Sequence, residues 1–567
     1  MMNLNGRWMI GSALAGAILV VTSAVAGSGP CPTGSSGMGT PESPCQISTA
    51  SQLAGIEGEV STHYALVANI DLEGFNNDPD PDNVGWLPID DFAGVLDGQE
   101  HTISNLFSSR ENPSNDTGLF GSSDHAFEIR NLHLVDANVS GGSRVGVLVG
   151  EMDHEDALVE NVTASGQVTG KGRSTGGLVG SNSGVIVNAE VHVDVLVDAG
   201  PGSIDGVGGL VGGNDEGEIR DSLATGSVTS HGRSAVGGLV GYNYWYGHIE
   251  NSRATGDVTM IGGSSGAGGL AGWNQESSSI VNSHATGNVT AEGINNVGGL
   301  VGEMGWGATV DNGSASGIVV GDRRVGGLIG RLQEESTSVT DGWASGDVTG
   351  NDYTGGLIGE MREAELHGRV FATGNVTGND YVGGLIGLLD NFSEEGDHDI
   401  DQAYATGHVE GNNYVGGLIG SFEHFSGTNT VHVTLSNVYA TGNVDATGDM
   451  IGGLIGAIWP SGDSMLYLSR AYSAGEVNGG TNDGGLIGYN LGEVTDSYWD
   501  VDTSGQTNGA GFSDNLFEAE GLPTAAMQQQ ASYEGWNFTT VWSIREGTDY
   551  PRLFDVIFTD RLEIESP

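Results

Sequence analysis

A short apolar phrase set between polar, glycine-rich turns recurs along this chain. It reads GGLVG around Gly177, Gly209, Gly238 and Gly299, and GGLIG around Gly327, Gly356, Gly384, Gly417, Gly453 and Gly485. Variants are GVLVG at Gly146, GGLAG at Gly269 and GLFG at Gly118. Counted by their leucines, Leu119 to Leu486 make thirteen copies spaced 28 to 36 residues apart. A second phrase follows each copy, with the form apolar-x-Asn/Asp-Ser-x-Ala-Thr/Ser-Gly-x-Val. It is clear at Ile219 to Val228, Ile249 to Val258 and Ile280 to Val289, and drifts but holds frame at Val339 to Val348 and Leu435 to Val444. A short Gly/Asn/Asp-rich stretch then leads into the next copy.

No run places apolar residues at i, i+3, i+4 and i+7, so amphipathic helices are not indicated. A period near thirty with two or three β-like runs is the mark of a solenoid coil, which buries its apolar face only by stacking on its neighbours. The pattern predicts an all-β fold, a parallel β-helix of about thirteen coils with N- and C-terminal caps. At about 4.8 Å per coil the rod is roughly 60 Å long. A propeller is the alternative, although its repeats run to about 40–50 residues. Strand alternation puts Ala224, Gly226 and Val228 on one inward face. GGLVG poses a problem: a flat strand cannot turn both Leu and the next Val or Ile inward, so a bulge at the glycines or a covered outer face is required.

The flanks differ from the repeats. Arg7 precedes an apolar stretch ending in Ala24-Val25-Ala26, which reads as a signal peptide, residues 1–26. Residues 27–45 are rich in Pro, Gly and Ser and hold the only two cysteines, Cys31 and Cys45, expected to pair in an oxidising compartment. An N-terminal cap (46–116), the repeat solenoid (117–497) and a C-terminal cap and tail (498–567) complete the division. Leu522 to Tyr533 is expected to form one helix, and Trp536, Phe538 and Trp542 to plug the C-terminal end.

Charge narrows the partners. The chain has 73 Asp plus Glu against 18 Lys plus Arg, a net of −55. Nucleic acid is excluded as a partner, because phosphate binding needs clustered basic residues. Such self-repulsion is relieved by salt, which points to a salty, halophilic setting or to bound divalent cations. No segment after the leader is long and apolar enough to span a bilayer.

The repeats resemble the GLUG motif of bacterial surface proteins, including filamentous adhesin-like chains and some of the IgA-peptidase type. The resemblance extends to the leader, with Gln46-Ile47-Ser48-Thr49-Ala50, Asn69-Ile70-Asp71-Leu72, Phe92-Ala93-Gly94-Val95-Leu96-Asp97-Gly98 and His101-Thr102-Ile103-Ser104-Asn105-Leu106. It extends to the tail as well, with Tyr498-Trp499-Asp500, Gly535-Trp536-Asn537-Phe538, Val541-Trp542 and Tyr550-Pro551-Arg552-Leu553. It implies a secreted or surface-exposed β-solenoid and no particular reaction.

Catalytic signatures are sparse. His154-Glu155 begins a zincin-like string, but Leu158 stands where the second His belongs. An enzyme is not expected and no cofactor is expected. The alternatives are a polysaccharide-degrading β-helix, which needs a carboxylate pair at a set separation, and a purely structural surface or biofilm protein. Two acidic loops offer hard oxygen ligands for calcium, one with Asp78, Asp80 and Asp82, the other with Asp397 and Asp399. The sharpest candidate is a column of aromatics at the outward position before Ala: Trp343, Phe371, Tyr404, Tyr439, Tyr472 and Tyr498, preceded in earlier coils by Leu223, Arg253, His284 and Ser314. A shorter column is Tyr353, Tyr381 and Tyr414. A further patch, Tyr242, Tyr244, Trp245, Tyr246, Trp273 and Trp306, follows successive GGL copies. Each is either a platform for an extracellular glycan or surface protein, or a ladder that steadies the stack. The expected role is adhesion.

Overall fold

The computed structural model describes residues 31–56, 62–79, 84–110, 116–198, 206–232, 234–334, 336–390, 396–424 and 431–554, without the side chains of 396–398 and 431. The expected signal peptide lies outside the described residues. The chain is a right-through stack of parallel strands. One sheet of fourteen strands runs from Phe120–Ser123 to Ala510–Ser513 and one of eleven from Thr175–Gly176 to Thr481–Gly484, while a third, of 36 strands, holds the second phrases and the N-terminal segment. The β-helix expected from the period is therefore the fold.

One coil shows how the sequence makes it. Val236–Gly237 enters, Gly238 and Leu239 bend, and Val240–Tyr244 leaves along another wall. The amides of Leu239 and Val240 both donate to the Leu270 carbonyl of the next coil, each at 2.9 Å. In a flat strand successive amides point to opposite sides. Two that share one acceptor mark a corner. The corner turns Leu239 and Val240 inward together, and it answers the packing problem without a bulge or a covered outer face. All thirteen leucines of the phrase are buried.

The corner also explains the glycines. A Cβ on Gly208 would lie 2.0 Å from the Val211 carbonyl oxygen of its own coil, and one on Gly209 would lie 2.1 Å from the Gly238 carbonyl oxygen of the next. Backbone approaches backbone too closely for any side chain. In the second phrase Ala224 and Val228 do point inward, but Gly226 sits at a bend, half exposed, between two short strands. The single flat strand expected there is two strands. The Asn or Asp before Ser turns the chain at positive φ, as at Asp221, Asn251 and Asn282, and Asn312, before Gly313, does the same. These residue types tolerate that region best after glycine.

A polar ladder runs inside four coils. Asn182, Asn214, Asn243 and Asn274 are fully buried, and each amide nitrogen of the first three donates to the next Asn at 2.7 to 2.9 Å. Later coils replace it with Met304, Leu332 and Met361. Asn243→Ala would strand the Asn214 amide and the Asn274 oxygen, at a cost of about 2 kcal/mol. Urea unfolding checks this, and a change below ~0.5 kcal/mol would contradict it.

The N-terminal end has its expected cross-link, whereas the C-terminal end is closed differently from expectation. At the N-terminus Cys31 and Cys45 form the expected disulfide, with Cα atoms 5.4 Å apart. Cys45–Ile47 and His63–Leu66 pair in parallel and lead through Val95–Ser104 into the first repeat. At the C-terminus Trp499 closes the interior, with Phe517 packed against the same core. Trp536, Phe538 and Trp542 do not plug this end. The chain instead turns back and packs the tail along the outer flank, in one buried cluster with the outward tyrosines Tyr439, Tyr472 and Tyr498. Leu522 to Tyr533 is not one helix either. It holds one α-turn, Thr524–Met527, and one 3-10 turn, Gln530–Ser532, since Pro523 and the packing of Met527 and Tyr533 fix a bent path. Among the described residues no helix is long and apolar enough to cross a membrane.

Candidate functional site

Parallel in-register stacking turns one position per coil into a column, and the predicted column forms in register, with close ring stacking confined to its middle. Leu223, Arg253, His284, Ser314, Trp343, Phe371, Tyr404, Tyr439, Tyr472 and Tyr498 are successive register partners. From Phe371 to Tyr472 neighbouring ring centroids lie 4.8 to 5.1 Å apart with planes within 6° of parallel. Each such pair contributes about 0.5–1.5 kcal/mol beyond its area.

The same geometry limits what the column can bind. A ring stacked on both sides presents only its edge to solvent, whereas a sugar ring or a partner's apolar surface needs a face. The tail covers the rest. Trp542 lies against Tyr439 and Tyr472, its indole N–H donates to Asn437 Oδ1 at 3.0 Å, and Tyr472 donates to the Pro551 carbonyl at 2.6 Å. Tyr439, Tyr472 and Tyr498 are buried and are therefore not surface contacts. Burial lifts the Tyr472 phenol well above its usual range, and the Tyr439 ring beside it adds to the shift. Trp343, Phe371 and Tyr404 stay half-buried at the open end of the ladder. The shorter column also forms, with Tyr381 and Tyr414 stacked at 4.5 Å and Arg323 over Tyr353 at 4.9 Å.

The patch around Trp245 divides. Tyr242 is mostly buried and donates to Asp215 Oδ2 at 3.2 Å, and Trp273 is half-buried beside Gly266. Neither presents a face. Trp245, Tyr246 and Trp306 do: they are 56 %, 74 % and 42 % exposed. They occupy the turn that follows the fourteen-stranded sheet, and the turns stack. Tyr246 N–H donates to the Glu276 carbonyl at 3.0 Å and Ser277 N–H to the Trp306 carbonyl at 2.9 Å. Aromatic and acidic turns thus alternate along one corner: Glu216, then Trp245 and Tyr246, then Glu276, then Trp306, then Glu334. Because acidic coils separate the aromatic ones, these ring faces are not consumed by stacking. All three aromatics sit at positive φ, 42°, 66° and 52°, a region that costs a bulky residue ~1 kcal/mol or more. Tyr244 lies half-buried below, 6.2 Å from the Trp245 ring.

The candidate metal ligands are scattered in their roles. Asp78 pairs with Arg110, both buried. Asp80 and Asp82 lie outside the described residues, as does the side chain of Asp397. Asp399 is exposed. Among the described residues no group of three or more His, Cys, Asp or Glu is placed to hold a metal ion.

A third outward stack was not read from the sequence: Trp459, Tyr489 and Phe512, 5.1 and 4.7 Å apart. Part of its signal was available, since Trp459 lies four residues after Ile455 and Tyr489 two after Ile487 of their GGL phrases, whereas Phe512 lies beyond the last copy, where Ala510 pairs with Ile487.

Residues 205–229, 232–259 and 263–290 match the GLUG motif. The chain carries GLUG repeats. Two curated relatives share parts of this GLUG-repeat chain. Halomucin of Haloquadratum walsbyi is 39 % identical over 155 residues, 26 % of this chain and 2 % of halomucin. A protein of Evansella cellulosilytica, provisionally named a Gly-rich membrane protein, is 36 % identical over 139 residues, 22 % of this chain and 14 % of that protein. The GLUG-repeat chain thus spans a small part of the length of either. A solved structure from Bacteroides ovatus, provisionally an immunoglobulin A1 protease, aligns over 55 % of this chain and 78 % of its own at 20 % identity, with a TM-score of 0.31.

Proposed function

We propose that this protein is an extracellular, surface-associated repeat scaffold that contacts glycan through the corner ridge of Trp245, Tyr246 and Trp306. The stacked coils supply a rigid support, and the alternating Glu216, Glu276 and Glu334 supply hydrogen-bond acceptors for sugar hydroxyls beside each ring. Exposed aromatics grouped on one corner are unusual on a soluble surface and are typical of binding sites. The observation that carries the reading is their open faces: three large rings are held in water on one corner. The names of the two relatives support a surface setting, and the net charge of −55 supports a salty one.

The test is a glycan array probed with the protein in high salt, followed by the triple variant Trp245→Ala, Tyr246→Ala and Trp306→Ala. Affinity for the best glycan falls at least about tenfold, while the melting temperature holds within about 2 °C because no buried contact is lost. Unchanged affinity in the triple variant, or no glycan bound by the parent, defeats the reading.

A further inference from the structure

Among the described residues one pair of neighbouring strands in the long sheet lacks its ladder. Ser338–Thr340 pairs with Glu365–His367, and Gly396–Asp401 pairs with the strand that begins at Val431. Among the described residues no ladder pairing joins Glu365–His367 to Gly396–Asp401, yet the two coils pair again at Val370–Ala372 and Ala403–Ala405. A cavity of about 260 Å³ occupies the gap. Its floor is apolar, with Leu366, Leu389, Ile400 and Val433, and its rim carries Glu363, Glu365, His367, Asp390 and Asp399.

Asp390 sets the chemistry. It is only 8 % exposed, and its Oδ1 has no hydrogen-bond partner. Its register neighbours are Arg362 in one coil and Glu423 in the next. A buried carboxylate oxygen without a donor is costly. Within this cavity a donor that also brings positive charge would relieve the cost. A hard metal ion would need six or more oxygens around it, and half of the lining is hydrocarbon. The volume lies below the ~300 Å³ at which drug-sized sites begin, so the ligand is small.

We propose that this gap binds a small organic cation, an ammonium group on a short aliphatic stem, with the head on Asp390 and the stem on the apolar floor. His367 already contacts Glu365 at 2.9 Å, and Asp390 and Asp399 line the cavity to face the head. Burial pushes the Asp390 carboxyl up to about 7, Arg362 pulls it down, and Glu360, Glu423 and Glu363 push it further up. The site therefore gains its full negative charge, and its affinity, as pH rises through neutrality.

The experiment is calorimetric titration of the full chain with n-butylammonium chloride at fixed ionic strength, with Nα-acetyl-lysine amide as a second arm. The expected result is saturable one-to-one binding that strengthens between about pH 6 and 8 and weakens at least about tenfold in Asp390→Asn. Tighter binding of the free amine assigns the site to a soluble amine, and tighter binding of the lysine derivative assigns it to a peptide side chain; both support the proposal. Ile400→Phe, which narrows the floor and leaves Asp390 in place, abolishes binding as well. No saturable heat, heat indifferent to both substitutions, or displacement of butylammonium by stoichiometric calcium overturns it. Asp390→Asn removes a buried charge, so it melts no lower than the parent at pH 8, and its loss of binding is not a loss of fold.

Discussion

Gly327→Ala destabilises the stack by about 3 kcal/mol, at the upper end for an overpacked core. The new Cβ would lie 2.0 Å from the Gly356 carbonyl oxygen of the next coil and 2.9 Å from the Ala344 Cβ. The first obstacle is backbone, so it cannot move aside as a side-chain tip would. Relief requires two coils to separate, and that breaks the pair in which Gly327 N–H donates to Gly355 O at 3.2 Å and Leu328 N–H to Leu357 O at 2.8 Å. In a solenoid stability is a sum of coil and interface terms. The damage is therefore local. Hydrogen exchange should show lost protection at Leu328, Ile329 and their neighbours in the next coil, while coils near Leu148 keep theirs. Uniform loss along the rod, or a change below ~1 kcal/mol in guanidinium, would contradict the corner packing.

Trp542→Ala releases the tail and leaves the rod standing. Trp542 is fully buried and touches Tyr439, Tyr472 and Trp536. Its truncation removes about 3–5 kcal/mol of packing from a segment otherwise held by a few hydrogen bonds, such as Tyr550 to Asp500 and Trp536 to the Asp496 carbonyl. Limited proteolysis should then cut beyond Leu522, and tryptophan emission should shift to the red. Tyrosine titration provides the second readout. In the docked state the Tyr472 phenol keeps its proton to a higher pH than a free tyrosine, whose pKa is about 10. Docking is thus fully present below that pH and is lost as pH rises through the raised value. In the variant Tyr472 returns toward the ordinary range. A tail that stays protected, with Tyr472 unchanged, would show that the cluster is held by other contacts.

The legibility of the sequence was uneven. The column from Leu223 to Tyr498 could be read without coordinates, because each coil contributes one residue at one frame and parallel register cannot slip without turning Ala and Val outward. The corner at Gly238-Leu239 could not. Period-2 reasoning assumes a straight strand, and the bend is set by two amides sharing one carbonyl of another coil. Likewise, the interior Asn182 to Asn274 ladder reads in sequence as polar turn residues and is buried only because its partners lie above and below it.

What the sequence by itself determined is the period, the repeated leucines and the membership of the columns from Leu223 to Tyr498 and from Tyr353 to Tyr414. These follow from one rule, repetition in register. What only the tertiary structure decided is which columns meet solvent. Tyr439, Tyr472 and Tyr498 lost their surface to a tail that begins beyond Leu522, Trp245 and Trp306 kept theirs because acidic coils separate them, and Asp390 gained a cavity beside the one strand pair that, among the described residues, lacks its ladder. Exposure is a property of what packs across a surface, and no local pattern records that.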